Sequence, residues 1–296
     1  MNYGKKSTAK KRTALISRSS MMGKRARVSF IRVLFVSLIA LCIAVTCLGV
    51  GSFRGVIDTA PDVDDIDIMP LGYATFLYDD AGNQIRKLAA PDSNRLPVTL
   101  DQIPVDLQHA VVAIEDERFY EHNGIDVKGI LRAGMKALTT GDFSEGASTI
   151  TQQLARNIFL GYEKTYSRKI KEMFIAVALE QKYTKQEILE FYLNNVYFAN
   201  GYYGIESASE AYFNKNAKDL SISQIAFLCS IPNSPNRYDP YKHKDSTLKR
   251  RDRILKNMYE DGYISESQYE KSVAEKDNDH AEKKRQQRMT TRKHTF

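Results

Sequence analysis

Four groups of side chains in this 296-residue chain have types and spacings that can do chemistry. The first is Glu115-Asp116-Glu117, followed by Phe119, His122 and Gly124, after an apolar run at 111–114. Acidic side chains at a helix C-terminus oppose the helix dipole, so this placement costs stability unless a site uses it. On local grounds alone, a solvated acidic cap is the plainer reading. The second is GASTITQQ (146–153) with Arg156 and Asn157. Ser148 and Thr149 ahead of a helical run cap it and leave backbone N–H groups for an anion, or they are a helix cap and nothing more. The third is Lys164 with Arg168, Lys169 and Glu172, where Arg168 and Lys169 stand four and three residues before the glutamate. That is either a cationic cradle holding one carboxylate in place or a surface ion pair contributing a few tenths of a kcal/mol. The fourth, Lys249-Arg250-Arg251 with Arg253, reads by itself as a solvated basic face.

Helices must carry these residues. Thr184-x-x-Glu187, Ser221-x-x-Gln224 and Ser265-x-x-Gln268 have the capping-box form, in which two side chains satisfy each other's backbone N–H groups. Within 165–183, Ile170, Met173, Phe174, Val177 and Ala178 recur at i, i+3, i+4, i+7 and i+8, which predicts an amphipathic helix. Pro232 and Pro235 predict a loop after a helix ending near Ile231. Earlier, YATFLYDDAGNQIRKL (73–88) predicts strand, turn at Gly82-Asn83, and strand. The expected fold is mainly α. One helical domain spans 100–275, an acidic linker and small β-hairpin at 54–99 lead into it, and a polar tail at 276–296 is expected to be disordered.

The formal net charge of +7, from 43 Lys+Arg against 36 Asp+Glu, is unevenly placed. Residues 1–32 hold ten basic and no acidic side chains, and 276–296 hold seven basic and three acidic. The body, 33–275, holds 26 basic and 33 acidic, a net −7 that argues against a basic nucleic-acid-binding domain. The 21 residues 33–53 carry no charge. As a helix they rise about 30 Å, the hydrocarbon thickness of a bilayer. A transmembrane anchor is expected. A buried core helix is disfavoured because no polar face interrupts the run, and a cleaved signal peptide because no small-x-small site follows it cleanly. The basic residues hold 1–32 in the cytoplasm and place the rest across the membrane. Cys42 and Cys47 lie in the run and Cys229 lies far from both, so no disulfide framework follows.

In this order the four groups resemble family 51 of the glycosyltransferases. That is the peptidoglycan glycosyltransferase domain of class A penicillin-binding proteins and of monofunctional biosynthetic transglycosylases. The resemblance rests on AVVAIEDERFYEHNGID (110–126), GASTITQQLARN (146–157), RKIKE (168–172), KQEILEFYLNNVYF (185–198) and KRRDRIL (249–255). GIESASEAYFNK (204–215) and IPNSPNRYDPY (231–241) also look like it, and the likeness covers about 100–260.

The resemblance implies a lysozyme-like helical fold with a smaller membrane-associated lobe. Ile125, Val127, Ile130, Leu131, Met135 and Leu138 belong either to that lobe or to ordinary core. It implies polymerisation of lipid II: the glycan passes from undecaprenyl pyrophosphate to the 4-hydroxyl of an incoming GlcNAc, with inversion at the anomeric carbon. A sugar hydroxyl needs a positioned general base, and by resemblance that base is Glu115. Attack opposite the leaving group needs no covalent intermediate. Glu172 matches the second essential carboxylate. Asp116, Phe119, Ser148, Thr149, Gln152, Gln153, Arg156, Asn157, Lys164, Arg168 and Lys169 fall at substrate-binding positions, with the cations facing the leaving pyrophosphate. No cofactor is obligatory and no metal-ligand set is visible, with Mg or Mn at the pyrophosphate as an optional addition. The implied partners are lipid II, the growing glycan-lipid, the membrane and other cell-wall synthesis proteins, not nucleic acid. The implied place is the cell membrane, single-pass, with an extracytoplasmic catalytic domain.

Three positions depart from the family pattern. Arg156 stands where the family often has Lys, Lys164 where it often has Arg, and Phe198-Ala199 where it usually has Phe-Gly. His122 is expected to make a structural hydrogen bond. Ser7-x-x-Lys10, Ser246-x-x-Lys249 and Ser234-Pro235-Asn236 are chance matches to transpeptidase motifs, and without Lys-Thr-Gly no transpeptidase domain is expected in this chain. Two rivals stand beside the polymerase. A lysozyme-like hydrolase or lytic transglycosylase would not need the cation cluster, and a non-catalytic membrane scaffold would not need both glutamates.

Overall fold

The structure is a computed structural model that describes residues 35–41, 43, 51, 54–61, 74–88, 94–141, 146–160 and 165–275. It divides into two compact units, Met1–Thr59 and Ala60–Phe296. In the first unit, residues 35–41, 43, 51 and 54–57 are helical. Among the described residues no helix is long and apolar enough to cross a membrane. The rest of the predicted anchor at 33–53, the basic segment 1–32, and the tail at 276–296 lie outside them.

The second unit begins with the predicted hairpin. Strands β1 (Thr75–Tyr78) and β2 (Gln84–Leu88) pair antiparallel, from Thr75 opposite Leu88 to Tyr78 opposite Gln84, with a bulge at Leu77/Tyr78. Asp79 closes the turn. Its carboxylate accepts from the backbone N–H groups of Ala81 at 3.0 Å and Asn83 at 2.7 Å, and Gly82 takes φ +81°.

Nine helices follow among the described residues: α1 (Val105–Glu115), α2 (Val127–Thr140), α3 (Ile150–Ala155), α4 (Tyr166–Lys182), α5 (Lys185–Asn195), α6 (Ile205–Phe213), α7 (Ile222–Cys229), α8 (Lys244–Glu260) and α9 (Glu266–Ala274). The three predicted capping boxes start α5, α7 and α9, and Thr149 with Gln152 forms a further one at α3. α1 packs on α7 and α8, and α3 packs on α4 and α5. The shared core includes Leu107, Phe119, Leu154, Leu179, Tyr192 and Phe227, all fully buried.

Two faces differ in a way that matters. α4 is helical as predicted, but it turns Glu172, Ile175, Ala176 and Leu179 inward and leaves Phe174 of the predicted stripe 45% exposed. The close approach of Gly124 to α4 contributes to this choice. A Cβ on Gly124, which has φ +86°, would lie 2.7 Å from the Ala176 carbonyl oxygen. α2 buries only Gly129. Its apolar residues Val127, Ile130, Leu131, Met135 and Leu138 are exposed, Leu138 to 89%, so these five are not core.

Candidate active site

α1 ends on Glu115, whose side chain is buried. Glu115 Oε2 accepts a hydrogen bond from Gln153 Nε2 at 2.9 Å, and Oε1 lies 3.6 Å from the Arg250 guanidinium. Burial pushes its carboxyl pKa up. The Gln153 bond and the Arg250 and Arg156 charges oppose this rise, while neighbouring Asp116 adds to it.

A cleft of about 650 Å³ opens over this carboxylate. One wall is the end of α1 with Glu115, Asp116 and Glu117. A second is the loop 146–149 with Gln153 and Arg156. A third is Arg250 and Arg253 of α8, with Asn233, Arg237 and Tyr238 from the loop before it.

Several predicted residues brace this cleft: Thr149 and Asp116 line it and also tie its walls together, while Phe119 lies behind it in the core. Thr149 caps α3, accepting from Gln152 N at 3.1 Å and donating to the Gly124 carbonyl at 2.7 Å. Asp116 bridges two elements: its carboxylate meets His122 Nε2 at 2.9 Å and accepts from Ile150 N at 2.9 Å. His122 therefore makes the structural hydrogen bond expected of it. Phe119 is core, with the Lys185 ammonium 4.4 Å from its ring centroid.

A second carboxylate lies on α4. Glu172 is 1% exposed and pairs with Arg168 and, at 3.0 Å, with Lys169. The Lys169 ammonium also donates to Ser148 Oγ at 2.8 Å and Gln152 Oε1 at 3.1 Å. All three of its N–H donors are thus engaged. Burial, then the Arg156 and Arg168 charges, draw the Lys169 pKa down to about 8. Burial, then Arg156, also lowers the Arg168 pKa.

Arg156 joins the two clusters. It begins a widened helical turn, Arg156–Leu160, that continues α3, and such turns recur at functional sites. Its charge acts on Glu115 and also on Arg168 and Lys169. Its Nε is buried with no hydrogen-bond partner among the described residues.

The structure thus gathers Glu115, Asp116, Ser148, Thr149, Gln153 and Arg156 at the cleft. Gln152, Arg168, Lys169 and Glu172 adjoin it through Ser148 and Gln152. Asn157 is in the widened turn and not in the cleft lining, and Lys164 lies outside the described residues. In the sequence Arg250 and Arg253 stand in a basic run, and Asn233, Arg237 and Tyr238 in a second segment of the family resemblance, and none of the five was expected in the site. The missed signal was in the run itself. Arg250 and Arg253 are three apart on α8 and face the cleft, while Arg251 turns away and donates to Ser223 Oγ at 3.2 Å and the Glu275 carbonyl at 3.1 Å. Among the described residues no group of three or more His, Cys, Asp or Glu could hold a metal ion.

Comparison with known proteins gives consistent matches. Residues 81–259 match the family described as Transglycosylase. The chain is 41% identical over 225 residues to Penicillin-binding protein 4 of Bacillus subtilis (strain 168), covering 76% of this chain and 36% of that protein. It is 48% identical over 189 residues to Penicillin-binding protein 1F of the same organism, covering 64% and 26%. It is 42% identical over 241 residues to Penicillin-binding protein 1A of Escherichia coli (strain K12), covering 79% and 28%. The chain spans between 26% and 36% of the length of these three curated relatives.

Proposed function

We propose, because this chain belongs to the transglycosylase family, that it is a peptidoglycan glycosyltransferase that polymerises lipid II in cell-wall synthesis. The observation that carries this reading is the pair of buried glutamates with Arg156 between them. Glu115 is weakly paired in an open polar cleft, and Glu172 is locked to two cations.

The acceptor's 4-hydroxyl attacks the donor's anomeric carbon as its proton passes to Glu115. The bond from that carbon to the lipid pyrophosphate breaks, and the configuration inverts. A carboxylate with a raised pKa is the stronger base, which suits proton abstraction near neutral pH. Negative charge builds on the departing pyrophosphate, and cations already in place stabilise it without reorganisation. Arg156, Lys169 and Arg168 fit that role, and Lys164 is proposed with them. Ser148, Thr149, Gln152 and Gln153 hold or extend this set by hydrogen bonds. Asp116 ties the end of α1 to α3 through Ile150 N, Phe119 packs in the core after it, and Asn157 follows Arg156 in the same turn. Mg or Mn, as an optional addition, would supply further positive charge at the pyrophosphate beside these cations.

The finer fold reading is a lysozyme-like body with a membrane-facing α2, supported by that helix's exposed apolar face. Residues 33–53 are proposed as a single-pass anchor with a cytoplasmic N-terminus. That anchor would hold the site at the surface where its lipid-linked substrate and other cell-wall synthesis proteins are confined.

The test is to supply labelled lipid II in detergent and run the products on a gel. Long glycan strands are expected. Digestion of preformed peptidoglycan without polymerisation would replace this reading with the hydrolase, and no turnover of either would replace it with a scaffold.

A further inference from the structure

Glu115 is aimed by Gln153, and something must aim Gln153. A glutamine side-chain amide has a donor end and an acceptor end of almost the same shape, so packing alone does not choose between its two orientations. Here Nε2 points at Glu115 Oε2, 2.9 Å away, and Oε1 accepts a hydrogen bond at 3.3 Å from the Tyr192 hydroxyl. Tyr192 is on α5, 1% exposed, and no part of the cleft lining.

We propose that Tyr192 is a positioning residue of the active site, holding the Gln153 amide with its nitrogen rather than its oxygen towards Glu115. The proposal rests on the reading of Glu115 as general base. The reason lies in the hydroxyl proton. Among the described residues, the bond to Gln153 is the one hydrogen bond of the Tyr192 hydroxyl. If the amide turned over, the hydroxyl proton would be buried without an acceptor, and an unmade buried hydrogen bond is costly. The carbonyl oxygen would then face the carboxylate, and the ionised form of Glu115 would lose a donor. Burial also raises the phenol pKa well above its ordinary value, so the hydroxyl remains a donor throughout the working range.

Other groups act on Glu115 from the elements around it: Arg250 from α8, Arg156 from the turn after α3 and Asp116 beside it, while Glu115 in turn helps to keep the buried Cys229 thiol of α7 protonated. None of them bonds to Gln153 Oε1. Tyr192→Phe therefore removes one hydrogen bond and leaves these groups in place.

The experiment is the pH profile of lipid II polymerisation by the full chain and by Tyr192→Phe, with kcat and KM separated. Loss of the hydroxyl frees the amide to turn, the ionised carboxylate is disfavoured, and the acid limb moves to higher pH. A loss of about tenfold in kcat at the acid end is expected, fading at alkaline pH, with KM unchanged. A merely structural tyrosine would lower the yield of active protein equally at every pH. Gln153→Met, which keeps the volume, must move the limb the same way, and adding Tyr192→Phe to it must move the limb no further. A limb that stays put in either single variant overturns the proposal, as does a further shift in the double variant. The carboxyl band of Glu115, titrated by infrared difference spectroscopy against Glu115→Gln as blank, must move with the limb. If wild-type protein fails to polymerise but the band moves, the positioning role stands and the polymerase reading falls. If it polymerises and the band does not move, the reverse holds.

Discussion

Glu115 and Glu172 are both buried carboxylates at helix positions fixed by packing, yet they are held in opposite ways. Glu115 has one amide donor at 2.9 Å and one guanidinium at 3.6 Å, and burial leaves its pKa raised. Glu172 has Arg168 and Lys169 directly on it, and Lys169 is fastened in turn to Ser148 and Gln152. A carboxylate that must take a proton has to be left under-paired. A carboxylate that must organise cations has to be fully paired. On the proposed reading the same residue type thus serves two purposes, and the neighbours decide which.

Removing each carboxylate should separate the two roles. Glu115→Gln keeps the shape and removes the proposed base, so lipid II turnover should fall by about three orders of magnitude. Stability should not fall with it. The folded chain keeps a proton on Glu115 at pH values where the unfolded chain has released it. Ionised Glu115 therefore subtracts stability as pH rises from its ordinary value of 4.5 through the raised folded value. At pH 7 the melting temperature of Glu115→Gln should match or exceed that of wild type. A clear drop would break the contrast. Glu172→Gln leaves Arg168 and Lys169 without their carboxylate and should lose both rate and stability. The stability loss should be about 2–3 kcal/mol by urea unfolding, below the full range for a buried pair because Lys169 is 39% exposed. A stable, inactive Glu172→Gln would make Glu172 a second proton carrier instead.

The cationic half has its own pH signature. Lys169 is drawn down to about 8, so above that pH the site loses a positive charge. Polymerisation should show an alkaline limb near that value. Lys169→Arg keeps the charge at every working pH, so the limb should disappear while the neutral-pH rate changes only a few-fold. An alkaline limb that persists in Lys169→Arg would assign it to another group.

Much of this was legible in the sequence, because capping boxes and short-range spacing are local. Thr184/Glu187, Ser221/Gln224 and Ser265/Gln268 each start a helix as their side chains dictate, and Arg168 and Lys169 reach Glu172 because three and four residues span one helical turn. What was not legible depends on contacts between distant segments. The buried face of α4 is fixed where the Gly124 loop presses on Ala176, not by the apolar stripe alone. Arg250 approaches Glu115 from 135 residues away, and Tyr192 reaches Gln153 from 39. No local pattern announces such pairs.

The smallest effect concerns Ala199, remote from both carboxylates in its bonding. Ala199 has φ +64° and Asn200 φ +53°, in a tight turn closed by Phe198 N donating to the Tyr202 carbonyl at 2.8 Å. An alanine in the left-handed region costs about 1–2 kcal/mol. Glycine removes that strain, but it costs about 0.5–1 kcal/mol more in chain entropy on folding. The methyl group is also buried, at 3% exposure, and losing it costs about 0.8 kcal/mol. These contributions nearly cancel, which explains how alanine is accommodated where glycine is the expected residue. Ala199→Gly should therefore change urea-unfolding stability by less than about 1 kcal/mol in either direction and leave both limbs of the pH profile in place. A shifted limb would mean that the turn is coupled to the cleft through Tyr212, whose hydroxyl accepts from Asn200 at 3.0 Å and donates to the Phe198 carbonyl at 2.8 Å.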